Sequence, residues 1–303
     1  MFNRYLSLRY LTVVTVFFTL CSLLNAQELP QEQGIDAAIE FPDQKPQTTP
    51  NSVPKAQTNS DSDQQERVVS GAKRSIDIAK NYDYASLYDQ PEQLKRLDKN
   101  APIWATADRK YVALGAQVCL REGELEFLAC GRNSKEHESI LTLDVPAHLI
   151  HAALLAIGAK QGAPAKYDPI FIPPTGEKIE IEVRWRLSDS EQQDSEQIVK
   201  KRAQELILEN ESGDVMSSPW VFTGGLFGVN PDGKRYYLAN VTGEIFGVSN
   251  FPGAVLDVPF ESSSDNVALY YHANTDVIPP VDTCVLLLLS RQKDNDKEEV
   301  EKK

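Results

Sequence analysis

The sequence predicts a single α+β domain in which a mostly antiparallel sheet carries two main helices. The clearest strand runs from Lys178 to Leu187, where apolar and charged residues alternate, so one face of the sheet is expected to meet water. Helices are predicted from Pro146 to Ile157 and over the amphipathic stretch that follows Asp194. Because strand and helix patterns are mixed in this way, we place an α+β domain at residues 101–291.

A hairpin is predicted before the first helix. Apolar residues alternate from Tyr111 to Leu120 and again from Leu125 to Ala129, on either side of a turn at Glu122-Gly123. In this register Cys119 and Cys130 share a face but lie about 13 Å apart, at ~3.3 Å per residue. A disulfide tolerates Cα separations only up to roughly 7 Å. The sequence therefore disfavours a disulfide between these two cysteines.

Three further elements follow from local patterns. The first helix has Asp144 as a candidate cap, and Gly158 ends it; because apolar residues occupy nearly every side, most of this helix is expected to be buried. A hairpin is predicted over the turn Asn230-Pro231-Asp232-Gly233. The stretch from Val285 to Leu289 is apolar on both faces and is therefore expected to be a central strand.

The first residues are typical of an export signal. Arg4 and Arg9 form a basic start, an apolar run covers Leu11 to Leu24, and Asn25-Ala26-Gln27 offers a cleavage point. The run is about 14 residues long, shorter than the ~20 that span a bilayer. Residues 1–26 are therefore predicted to be a signal peptide, with an uncleaved anchor as the alternative. We expect an exported protein that is periplasmic, secreted or associated with the cell envelope.

Composition divides the rest of the chain. Residues 27–70 are rich in Gln, Pro, Ser, Thr and Asp, which predicts a disordered linker because such a segment buries too little apolar surface. Residues 71–100 carry scattered apolar side chains and are interpreted as a short helical arm. Residues 292–303 are interpreted as a charged, disordered tail.

The charge of the chain bears on its partners. The formal net charge is −13 over 303 residues, and removing residues 1–26 deletes two positive charges, which gives −15. Such a chain repels phosphate backbones and anionic lipid, so nucleic acid is excluded as an expected partner. A membrane is expected as a partner only if the first segment is not cleaved. The expected partner is therefore an extracytoplasmic ligand or protein.

The familiar nucleotide-binding, hydrolase, metalloprotease and calcium-loop motifs are absent from the sequence. The candidate functional residues are therefore sought in one polar cluster. His148 and His151 share one helix face, and His137 lies between Glu136 and Glu138 in the loop before that helix. Three interpretations stay open: ordinary helix residues bonded to the backbone or to the glutamates, a polar binding site, or a metal site that uses His137 and His151.

Cysteine chemistry is a further alternative. Cys130 precedes His137 by a few residues, so a thiol and a base could pair in the fold. The plainer interpretation is that Cys130 is structural. Cys284 lies in an all-apolar strand and is expected to be core.

Several motifs resemble the YdjY-type domain of bacteria. They are VCLREGELE at 118–126, KEHES at 135–139, HAALLAIGA at 151–159, WVFTG at 220–224 and GVSNFP at 247–252. The resemblance implies a bacterial exported or membrane-tethered protein, and its motifs single out the candidate residues Cys130, Glu136, His137, Glu138 and His151. Some relatives are described as ferredoxin-like with iron–sulfur clusters. This chain has no close-spaced cysteine run, so we expect no cofactor.

Two hypotheses for the function therefore remain open. The leading hypothesis is a non-catalytic binding or interaction module with a small polar site of His and Glu side chains. The alternative is a metal- or cysteine-dependent enzyme that uses His137, Glu138, His151 and Cys130, with His137 as ligand or base and Glu138 as the group that orients it.

Overall fold

The computed structural model describes residues 77–187, 197–262 and 269–292. The predicted signal peptide, the linker at 27–70 and nearly all of the charged tail lie outside the described residues. The described part of the arm, residues 77–100, contains helical residues 77–81, two 3-10 turns (Tyr84–Leu87 and Pro91–Gln93) and one short strand.

Most of the regular structure in the described ranges is strand. In chain order the strands are β1 (Leu94–Arg96), β2 (Ile103–Thr106), β3 (Tyr111–Val118), β4 (Phe127–Gly131), β5 (Ser139–Leu143), β6 (Lys178–Arg186), β7 (Ile198–Arg202), β8 (Ile207–Glu209), β9 (Trp220–Phe222), β10 (Phe227–Val229), β11 (Arg235–Tyr237), β12 (Glu244–Gly247), β13 (Leu256–Asp257), β14 (Tyr271–Ala273) and β15 (Cys284–Arg291). The α-helices are α1 (Ala147–Ala156) and α2 (Ala239–Thr242).

Eight of these strands close into a barrel. Their order is β3-β15-β6-β9-β13-β12-β4-β5, and the ring closes because β5 also pairs with β3, at Ala116↔Leu143 and Val118↔Leu141. The pairs β4–β5 and β12–β13 are parallel, and the other pairs of the ring are antiparallel. The predicted α+β domain with an antiparallel-leaning sheet is therefore wrong. Alternation along a strand looks the same in an open sheet and in a closed one.

The predicted hairpin of residues 111–129 is wrong as well, because β5 lies between β3 and β4 and pairs with both. Cys119 donates its amide to Ile140, and Cys130 lies beside Thr142, so the two cysteines flank opposite edges of β5. Both thiols are free, and the hairpin register on which the sequence argument against a disulfide rested is not the register of the structure.

The second predicted helix is replaced by extended chain. The part of this stretch within the described residues forms β7, a 3-10 turn at Ala203–Leu206 and β8. β7 pairs with β6, where Val199 lies opposite Trp185 and Arg202 opposite Glu182. The helical spacing of the apolar residues is thus overridden by partners that are distant in sequence.

The first predicted helix is confirmed and covers Ala147–Ala156. Its residues Ile150 and Leu154 are fully buried against the barrel. Asp144 does not cap it; its carboxylate accepts a hydrogen bond of 2.7 Å from Arg132. The hairpin over Asn230–Gly233 is also confirmed, as β10 paired with β11. Within the described ranges, no helix has both the length and the apolar character needed to cross a membrane.

The prediction of a central, doubly buried strand is confirmed by β15, which lies between β3 and β6. Val285, Leu287 and Leu289 pack in the main core of the barrel. Leu286 and Leu288 pack in a second cluster outside it, under the arm, together with Tyr84, Leu87 and Trp104. The arm therefore covers apolar surface that the barrel alone would expose.

Gly115 tests how the arm packs. A Cβ at this position of β3 would lie 2.7 Å from Tyr84 Cδ2 and 2.8 Å from Pro102 Cβ. We expect Gly115→Ala to lower the free energy of unfolding by about 1–3 kcal/mol, because the strand has no space for the methyl group. In urea denaturation, combining it with Tyr84→Ala should cost less than the sum of the two single changes. An unchanged midpoint in Gly115→Ala would contradict this packing.

Candidate functional site

The KEHES motif lies in a short connection between two parallel strands. β4 and β5 run side by side with Phe127 opposite Ser139, so residues 132–138 must carry the chain back along the length of β4. The return is made by a turn in which Asn133 has a φ of 59° and Glu136–Glu138 form a 3-10 helix. This brings Glu138 beside Glu126, whose amide donates to the Glu138 carbonyl at 3.1 Å.

Most polar side chains of this turn bond inward. The Glu136 carboxylate accepts hydrogen bonds from the Asn133 amide at 3.0 Å and from the Thr142 hydroxyl at 2.7 Å. Ser139 donates its hydroxyl to the Lys135 carbonyl at 2.6 Å. These bonds fix the backbone of the turn without using the side chain of His137.

Lys135 is the centre of the site. Its Nζ lies 2.9 Å from Glu138 Oε1 and 3.8 Å from Glu126 Oε2. The same ammonium lies 5.7 Å from the centroid of Phe127 and 5.5 Å from that of Phe251, within cation–π range. Phe251 belongs to the GVSNFP motif, so two motifs that are far apart in sequence meet at this one charge.

Three carboxyl groups act on this ammonium, and we call them the carboxyl site: Glu126 and Glu138 pair with it, and Glu244 acts on it through its charge. Burial and the nearby Glu138 carboxylate raise the pKa of Glu126 to about 7. Burial also raises the pKa of Glu244. Burial opposes the charge of Lys135, but its bond with Glu138 and the other carboxylates outweigh burial and raise its pKa. Burial thus favours the protonated, uncharged form of both Glu126 and Glu244.

His137 stands above the carboxyl site. Its side chain is 77% exposed, and its Nε2 lies 3.6 Å from Glu138 Oε2, whereas the Glu138 side chain is 15% exposed. Lys135 therefore holds the Glu138 carboxylate in place, and the His137 imidazole is exposed to solvent on a rigid turn.

His151 has different neighbours from His137. It is 9% exposed, its Nδ1 lies 3.1 Å from the Gly224 carbonyl and 3.2 Å from the Tyr237 hydroxyl, and its ring packs edge-on against Phe222. Burial lowers its pKa, although bonds to Gly224 and Gln161 oppose this effect. These contacts give His151 a packing role in the core.

His148 is exposed on the same helix. Its Nδ1 lies 2.8 Å from the side-chain Nδ2 of Asn240, so this histidine connects α1 with α2. Each of the three histidines thus has different contact partners.

Cys130 is fully buried and belongs to yet another neighbourhood. Its thiol lies close enough to Cys119 for the two to share a hydrogen bond, which lowers the pKa of Cys130. The same bond and burial raise the pKa of Cys119, whose Sγ also lies 3.1 Å from the Ser139 carbonyl. Of the predicted site residues, Glu136 acts on Cys130: its charge opposes the lowering and raises the pKa of the Cys130 thiol.

The structure therefore joins Lys135, His137 and Glu138 at one place, and Cys130 with Glu136 at another. Among the described residues, no group of three or more His, Cys, Asp or Glu side chains is arranged to hold a metal ion. The pairing of His137 with His151 at one ion stays a prediction. Sequence reasoning missed Glu126 and Glu244, which look like ordinary exposed positions of alternating strands.

A second group of buried polar side chains lies within residues 247–262. Asp257 is fully buried, and its Oδ1 accepts hydrogen bonds from the Val258 amide at 2.7 Å and from Asn250 Nδ2 at 3.2 Å. Burial raises the pKa of Asp257 to about 8, although these bonds oppose the shift. No sequence pattern distinguished this aspartate from a surface one.

Two surface grooves are lined by other residues. One has a volume of 490 Å³ and runs along β6, beside Lys178, Glu180 and Arg202. The other has a volume of 780 Å³ and is lined partly by Phe260 and Tyr270. Neither lining includes Glu126, Glu138 or Glu244.

Fold and site together define a closed-barrel domain that carries a half-buried cluster of carboxyl groups around one lysine. The family model of the YdjY domain matches residues 103–290, so this chain belongs to the YdjY domain family. The resemblance predicted from the motifs is thereby confirmed. No curated protein matches the chain. No solved structure matches it either.

Glu126→Gln tests the electrostatics of the site. Because the folded protein holds the Glu126 proton more tightly than the unfolded chain, wild-type stability should fall as the pH rises from about 4.5 to about 7. The glutamine variant should lack this loss and gain up to about 3 kcal/mol relative to wild type between pH 4 and pH 8. Urea denaturation at both pH values measures it, and a pH-independent difference between the two proteins would contradict it.

A pair of histidine variants tests the division of roles. We expect His151→Ala to lower the free energy of unfolding by about 2–4 kcal/mol, because it empties packed space and leaves the Gly224 carbonyl without this partner. His137→Ala should change it by less than about 0.5 kcal/mol, because that ring is largely exposed. Denaturation midpoints at pH 7.5 check both values, and equal effects of the two changes would contradict the assignment.

Proposed function

We propose that this domain is a non-catalytic binding module of an exported protein, and that it binds a cationic group, an amine or a guanidinium, at the carboxyl site. The observation that carries the proposal is the ratio of charges: Glu126, Glu138 and Glu244 share the single ammonium of Lys135. A ligand cation offers the positive charge that the site lacks. Nearby Phe251 adds an aromatic face of the kind that attracts cations.

The rigidity of the turn supports binding. Inward bonds of Glu136, Ser139 and Lys135 hold the turn before any ligand arrives, so little conformational entropy is lost on binding. His137, which bonds to none of these groups, is left exposed beside Glu138. It can therefore contact a ligand that reaches the carboxylate.

Overall charge supports the same class of ligand. With a formal net charge of −13, the whole chain attracts cations and repels nucleic acid and anionic lipid. This negative electrostatic field attracts an extracytoplasmic peptide or protein that carries exposed Lys or Arg side chains.

The enzyme alternative has less support from the geometry. It needs His137, Glu138, His151 and Cys130 to act on one substrate. Of these, only His137 and Glu138 contact each other, at 3.6 Å. The His151 ring packs against Phe222 and Tyr237, and Cys130 is fully buried beside Cys119.

Histidine NMR provides a direct test. The chain has four histidines, so a protein labelled at imidazole carbons gives four ring signals that single substitutions assign. On addition of butylammonium at pH 7.5, the His137 signal should shift and saturate. His272, whose backbone pairs with that of Glu124 and whose Nδ1 lies 2.6 Å from Asn210 Oδ1, should respond far less and serves as the internal control.

Charge-matched variants complete the test. Glu138→Gln should abolish the His137 response, whereas Glu122→Gln, which removes the same charge from an exposed loop, should keep it. Addition of acetate or phosphate should not shift the His137 signal. A His137 response to acetate, or equal responses of His137 and His272 to butylammonium, would overturn the proposal.

A further inference from the structure

Two carboxyl groups of the carboxyl site, those of Glu126 and Glu138, are paired with each other. Their side chains are 7% and 15% exposed, and they lie 3.8 Å and 2.9 Å from the Lys135 ammonium. A hydrogen bond joins the two groups, and its proton is held by Glu126, because a carboxyl group donates only when it is protonated. Two carboxylates that share one site disfavour each other's charge, so the pair retains a proton.

Backbone bonds hold the pair together. The Glu126 amide donates to the Glu138 carbonyl at 3.1 Å, and the Glu126 carbonyl accepts from the amides of Val248 at 2.8 Å and Ser249 at 3.1 Å. Both residues are thus fixed at the same place in the fold. The repulsion between two ionised side chains here is relieved by a proton or by an added cation.

We propose that the carboxyl site exchanges a proton for its ligand. When a cationic group binds, the Glu126 carboxyl releases to water the proton that it shares with Glu138, and it takes a proton up again when the ligand leaves. The inference rests on the proposed function, because it states how binding of the proposed ammonium or guanidinium ligand is regulated. Acidification then opposes binding, and binding acidifies the solution.

Charge balance makes the exchange favourable near neutral pH. Glu138 and Lys135 neutralise each other, so a further carboxylate requires another positive charge. Burial, the charge of Glu138 and the hydrogen bond between the two groups raise the pKa of Glu126 to about 7. Lys135 opposes this shift, and Glu244 on β12 reinforces it. His137, 3.6 Å from Glu138, is the further titratable group beside the pair.

The first measurement is titration calorimetry of the full chain with butylammonium, in two buffers of different ionisation enthalpy. This ligand keeps its charge throughout, because an alkylamine has a pKa of roughly 10.4. With a coupling of about tenfold between proton and cation, about half a proton should be released per bound cation at pH 6.5. Binding should be about sevenfold weaker at pH 5.5 than at pH 8.

Three variants assign the proton. Glu126→Gln should bind butylammonium with the lower affinity that the wild type has at pH 5.5, without pH dependence and without proton release. Glu244→Gln, which removes a neighbouring carboxyl of the same site, should still release a proton, and so should His137→Ala. Loss of the release in either of these two variants would place the proton elsewhere and overturn the inference.

A second readout keeps the test decisive if Glu126→Gln does not fold. In infrared difference spectra of the wild type at pH 6.5, butylammonium should decrease the band of protonated carboxyl groups and increase that of carboxylates. Binding with equal heats in the two buffers would overturn this inference alone. Absence of butylammonium binding at both pH 5.5 and pH 8 would overturn the proposed function together with it.

Discussion

The pairing of β3 is the constraint on which the rest of the structure depends. One edge of this strand is occupied along Tyr111–Gln117 by β15, and its other edge is divided between β2 and β5. Because its last residues pair with β5 instead of with a hairpin partner, the sheet closes on itself. In a closed barrel each strand of the ring pairs along both of its edges. Strands with one unpaired edge are therefore those added to the ring, such as β1 and β7.

Closure also assembles the site. Since β5 lies between β3 and β4, the chain must return along β4 through residues 132–138, and this return places Lys135 over Phe127 and next to Glu126. The antiparallel pairing of β4 with β12 then places Glu244 opposite Cys130, from where its charge still acts on Lys135, and the following loop adds Phe251. The cluster of charges is thus a consequence of strand order.

The electrostatics of this barrel end are unusual because acidic groups outnumber basic ones in a partly buried place. Glu126, Glu244 and Asp257 all have raised pKa values, in each case first of all because burial penalises the charged form. Elsewhere the protein pairs its buried charges: Arg184 bonds Asp89 and Glu182, and Arg132 bonds Asp144.

The sequence by itself determined the elements whose pattern is local: helix α1, strand β6, the doubly buried β15 and the hairpin over Asn230–Gly233. Its motifs also identified the family and pointed to the turn that holds His137 and Glu138. Only the tertiary structure decided the barrel, the strand identity of Ile198–Arg202 and the separation of His137 from the packed environment of His151. The physical reason is that strand partners and buried charge clusters arise from pairings between distant segments, which no local period records.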